Sequence, residues 1–66
     1  MKAHEQRVVD EKTELAERLA KLETFIESNP MFRSLSYAEQ GRLKIQRFIM
    51  EQYRGVLEDR IDNLFD

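Results

Sequence analysis

The sequence has no cysteine, no tryptophan, one proline, two glycines and one histidine. Without cysteine there can be no disulfide staple and no thiolate metal site. The lone histidine, His4, reads as a solvated side chain near an end rather than a base or a ligand. A histidine there cannot serve the scattered serines and threonines of a hairpin, so there is no nucleophile–base pair and the chain is expected not to be an enzyme. Gly41 and Gly55 stand isolated, which excludes a glycine-rich phosphate loop. No apolar run approaches the roughly 20 residues of a membrane span. No charged-then-apolar secretory leader is visible either, so a cytoplasmic location and no membrane partner are expected. Neither sign of charge dominates. The net charge is −2 although 36% of residues are charged, which disfavours a general polyanion binder such as an RNA-binding protein.

Sixty-six residues make one domain at most. A chain of this size buries too little surface for a strong core of its own. Small folds compensate with disulfides, a metal or oligomerisation. With the first two excluded or unsupported, self-association remains.

The single proline, Pro30, divides two long segments. From about residue 3 to 28, Leu15, Leu19, Leu22 and Ile26 recur at four, three and four, and Val8 extends the stripe backwards. This is an apolar seam of helical period, interrupted at Lys12. Glu14 with Arg18, and Glu17 with Lys21, are acid-before-base pairs four apart that give small support to a helix. Pro30 cannot continue that helix. It suits the start of a short turn over 30–34 with Asn29 as its cap. Met31, Phe32 and Leu35 then supply apolar anchors at the bend. Ser36 and Glu39 have the spacing of a capping box and open a second helix over about 37–64. The expected fold is therefore all-α: two long antiparallel helices, a helical hairpin, with a short helical turn at the bend, assembling into a homo-oligomeric bundle.

The second helix carries two apolar stripes. Leu43, Met50, Leu57, Ile61 and Leu64 form one, with Gln46 and Tyr53 beside it. Ile45, Ile49 and Val56 cluster elsewhere on a wheel of about 100° per residue. The first helix has a narrow stripe and can cover only one of them. The uncovered remainder marks an interface, for which Ile45, Ile49, Met50, Tyr53 and Val56 are the candidates.

Two groups of residues suggest ligand contact. Arg33, Arg42, Lys44 and Arg47 collect positive charge around the bend and the start of the second helix, with only Glu39 opposing them. The helix N-terminus adds free N–H groups, and Phe32 and Tyr37 add planar surfaces, so a phosphate and a base could be held there. An ordinary charged helix face is the alternative. Tyr53, Arg54 and Arg60, with Gln46, form the second group. They either fix the register of an oligomer or line a pocket where copies meet. Asp59, Asp62 and Asp66 lack the loop geometry of a calcium site, and neither metal nor cofactor is expected.

The run Glu5-Gln6-Arg7-Val8-Val9-Asp10-Glu11-Lys12-Thr13-Glu14-Leu15 resembles the opening of a group of short tailed-phage proteins related to a crAss-like phage protein. Lys21-Leu22, Phe25-Ile26, Phe32-x-x-Leu35, Arg42-Leu43, Gln46, Met50, Tyr53, Leu57 and Arg60-Ile61 are similar as well, so the likeness spans nearly the whole chain. Gly41, Ile45 and Phe48 depart from it, standing where more polar residues are expected. The resemblance implies a phage or prophage accessory protein of an infected bacterial host that acts by binding. The expected role is counter-defence: capture of a host immune signal such as a cyclic nucleotide, or blockade of a host defence protein. A structural coiled-coil adaptor and a small RNA-binding hairpin are the competing readings.

Overall fold

The computed structural model describes residues 1–64. Three helices follow one another: α1 (Ala3–Ser28), α2 (Met31–Ser34) and α3 (Tyr37–Asp62). The two long ones pack antiparallel, with α2 at the bend. The hairpin is thus as the periodicity predicts. Helical structure in α3 ends at Asp62, two residues short of the expected 64, with a turn over Asn63 and Leu64. Asp66 lies outside the described residues.

Each boundary has a local cause. At the start of α1 the Lys2 N–H donates to Glu5 Oε1 at 2.8 Å, the acidic half of a capping box. Glu5 is buried, which no apolar pattern would indicate. At the bend the Met31 N–H donates to Asn29 Oδ1 at 2.9 Å, so Asn29 caps α2 across Pro30. The Glu39 N–H donates to Ser36 Oγ at 3.1 Å. The reciprocal half of that box is replaced: Glu39 Oε1 takes Arg42 Nη1 at 3.1 Å instead, because a cation one turn ahead competes for the carboxylate.

The core is a thin seam between α1 and α3. Val8, Leu15 and Leu57 form its cluster, with Met50 and Ile61 packed on it, and Leu19 and Leu57 are fully buried. Met50, which the sequence places both on the inner stripe and among the interface candidates, packs partly buried against this core. A second apolar knot closes the bend. Phe32 is buried and meets Phe25 edge-on, with ring centroids 6.1 Å apart and planes at 86°. At Lys12, where the seam is interrupted, the ammonium turns toward Glu58 across the hairpin at 4.0 Å.

The molecule is a rod of 47 × 15 × 14 Å. Its radius of gyration is 14.9 Å, against roughly 11 Å for a compact chain of this length. Its accessible surface is 5179 Å², whereas a folded monomer of its mass exposes roughly 4,400 Å². No described helix is long and apolar enough to cross a membrane.

Candidate functional site

Helix α3 turns one stripe toward α1 and the opposite one outward. Leu43, Met50, Leu57 and Ile61 face in. On the outward side, Ile45, Phe48, Ile49 and Val56 are each between 57% and 61% exposed, and Tyr53 is 43% exposed. Phe48, one of the departures from the phage-protein pattern though not among the interface candidates, belongs to this face. Its place three residues after Ile45 was the available signal.

The cations of the two candidate groups are separated by their partners. Arg42 is engaged by Glu39 within its own helix. Arg47 reaches across the hairpin to Glu27, with Nη1 3.9 Å from Oε1. Arg54 lies 3.7 Å from Glu58, the acid that Lys12 also approaches. Of these three arginines only Arg47 links the two long helices; Arg42 and Arg54 pair within α3. No ion pair among the described residues engages Arg33, Lys44 or Arg60.

At the bend, Arg33 borders a pocket of about 290 Å³ lined also by Ile26, Glu27, Ser28, Asn29 and Pro30. Lys44 sits with its ammonium 5.9 Å from the centroid of Phe32, a cation–π distance. That ring is buried beneath Lys44 and against Phe25, so it is not the open stacking platform the sequence suggested. The bend needs a large apolar plug, and Phe32 supplies it. Tyr37 remains almost wholly exposed, at 91%. A neighbouring groove of about 390 Å³ is lined by Ala20, Lys21, Thr24, Phe25 and Asn29.

The second group also separates. Gln46, Tyr53 and Arg60 recur at seven and lie exposed along one edge of the outer face. The Gln46 amide has only a long contact to Met50 Sδ, 3.9 Å. They are not polar groups trapped on the inner seam, and Arg54 is turned away from them. Together they present an amide, a phenol and a guanidinium beside an apolar strip, a surface able to stack a planar ring and hold an anion.

His4 is exposed in the first turn of α1. The Thr13 hydroxyl donates to Val9 O at 3.0 Å and the Ser34 hydroxyl to Met31 O at 2.6 Å, so both serve the backbone. Among the described residues no group of three or more histidines, cysteines or carboxylates is arranged to hold a metal.

A family model described as Sequestin matches residues 2–63. No curated protein and no solved structure matches the chain. The likeness to crAss-like phage proteins thus stands on the sequence resemblance alone.

Proposed function

From the premise that the chain belongs to the Sequestin family, we propose that it is a phage or prophage binding protein that sequesters a host immune nucleotide signal as a homo-oligomer. The family name itself denotes sequestration, and a family model covering residues 2–63 is the observation that carries the reading. The surface supports it. Arg33 and Lys44 at the bend, and Arg60 beside Tyr53 on α3, are cations that no acid among the described residues engages in an ion pair. A nucleotide offers the two complements, phosphate for the guanidinium and a π-face for the phenol ring.

In this mechanism the protein does no chemistry. It lowers the free concentration of the signal by mass action, so it must bind more tightly than the host receptor and be made in excess of the signal. Arg42, Arg47 and Arg54 already hold acids within the chain. Their role toward the ligand is secondary to that of Arg33, Lys44, Tyr53 and Arg60. A host defence protein is the other target the reading admits. The exposed apolar face of α3 favours one further reading, a coiled-coil adaptor with no small ligand.

The deciding experiment is ultrafiltration of the purified protein with a panel of cyclic mono-, di- and oligonucleotides. Retention of one of them, and its release intact when the protein is heat-denatured, is the expected result. Release of a degraded product would replace binding with catalysis. Passage of every nucleotide into the filtrate would remove the nucleotide reading.

A further inference from the structure

The exposed side of α3 is patterned as tightly as the buried side. Arg42, Ile45, Ile49, Gln52, Val56 and Asp59 follow one another at three, four, three, four and three, and all are exposed. This is the 3.5-residue repeat of a coiled-coil seam, facing away from α1. From this we infer that the outer seam of α3 is the contact between two copies of the chain, and that the two α3 helices cross it antiparallel about a two-fold axis between Met50 and Glu51. The inference takes from the proposed function only that copies associate, and its own content is the face, the direction and the register.

Charge fixes the direction. The first half of α3 carries Arg42, Lys44 and Arg47 against one acid, Glu39. The second half carries Glu51, Glu58, Asp59 and Asp62 against Arg54 and Arg60. An antiparallel pair lays the basic half of each copy on the acidic half of the other. A parallel pair would stack Arg42 on Arg42 and Asp59 on Asp59, which is repulsive.

Charge and shape together fix the register. With the axis between Met50 and Glu51, Arg42 meets Asp59 of the second copy at each end. Ile45 meets Val56 of the second copy, and Ile49 meets Gln52 at the centre. A slide of one heptad one way leaves Asp59 beyond the start of the opposing helix. A slide the other way sets Asp59 on Ile49. In the chosen register Phe48, on the flank of the seam, falls beside Gly55 of the second copy. Gly55 has nothing within 4 Å of the place a Cβ would occupy, so the chain's own fold gives no reason for a glycine in mid-helix. An incoming phenyl ring does.

The chain exposes 5179 Å², roughly 800 Å² more than a typical folded monomer of its mass, surface that the elongated hairpin leaves open to a partner.

The test uses the absence of cysteine. Ile45→Cys/Val56→Cys should oxidise to a covalent dimer. The two thiols cannot close within one chain, because eleven residues of helix separate them by about 16 Å, far beyond disulfide reach. Ile45→Cys alone should stay uncrosslinked, whereas a parallel pair would join it. By sedimentation, Arg42→Asp and Asp59→Arg should each raise the dimer dissociation constant about tenfold or more, and the double exchange should restore it. A folded monomer at 100 μM, a dimer in which residues 45 and 56 fail to link, or the absence of rescue would each overturn the inference. A crosslinked dimer that retains no nucleotide upholds the interface and defeats only the ligand reading.

Discussion

Leu57 and Val56 are neighbours in sequence and opposites in environment: the first is 0% exposed and the second 57%. Helix α3 gives Leu57 to its own hairpin and Val56 to the outside. Leu57→Ala should therefore cost about 2–5 kcal/mol of hairpin stability, much of what a chain this small has. Val56→Ala should leave the helicity of the isolated chain unchanged and weaken its self-association. Circular dichroism on dilute protein and sedimentation on concentrated protein separate the two effects. Equal losses of helicity would show that the monomer fold depends on both faces.

Phe32 should be as sensitive as Leu57, though it lies at the end of the rod. Its ring is buried, meets Phe25 edge-on at 6.1 Å and lies beneath Lys44. Phe32→Ala removes both contacts along with the burial and should cost about 3 kcal/mol, while Lys44→Met, which keeps the stem and drops the charge, should cost under about 1 kcal/mol. Urea titration followed at 222 nm measures both. A Phe32→Ala midpoint close to that of the parent would mean the bend is held by its backbone alone.

The hairpin was legible because helical period and breakers are local properties. Pro30 fixed the break, Ser36 the start of α3, and the spacing of Leu15, Leu19, Leu43 and Leu57 the faces that meet. What sequence could not supply was the competition between nearby groups. Glu39 has the position for a reciprocal box, yet Arg42 takes its carboxylate. Phe32 has the character of a stacking platform, yet the bend requires it as a plug. Met50 lies near the boundary of two stripes on a wheel, and only the crossing of α1 decides which one it joins. The basic cluster looked like one site because its members are close in sequence. The fold distributes Arg42, Arg47 and Lys44 to Glu39, Glu27 and Phe32.

The half-formed box makes a sharp prediction at the start of α3. Ser36→Ala removes the acceptor of the Glu39 N–H, bonded at 3.1 Å, and should cost about 1 kcal/mol. Glu39→Gln should change stability by less, because its carboxylate serves an exposed pair with Arg42 and such pairs are worth little. Thermal melts of the two variants test the order. A larger loss for Glu39→Gln would show that the carboxylate also caps the helix.

Lys12 interrupts the α1 seam and reaches Glu58 only at 4.0 Å, with both side chains more than a third exposed. An ion pair that open to water contributes little, whereas a leucine at the same seam position would bury apolar surface against α3. Lys12→Leu should therefore raise the unfolding midpoint. A lower midpoint would assign the pair a role in setting the hairpin's register.

The two glycines of α3 separate the stability of the chain from the fit of its partner. Neither Gly41 nor Gly55 has a neighbour within 4 Å of an added Cβ, and both lie inside a regular helix. Alanine at either position should stabilise the isolated hairpin by up to about 1 kcal/mol, through helix propensity and a less disordered unfolded chain. Only Gly55 is expected to receive Phe48 from a second copy. Gly55→Ala should thus raise the melting temperature of dilute protein and weaken the dimer, while Gly41→Ala raises the one and spares the other. Melts recorded across a hundredfold range of concentration read both quantities from the same samples. Identical behaviour of the two variants at every concentration would mean that no ring seats on Gly55.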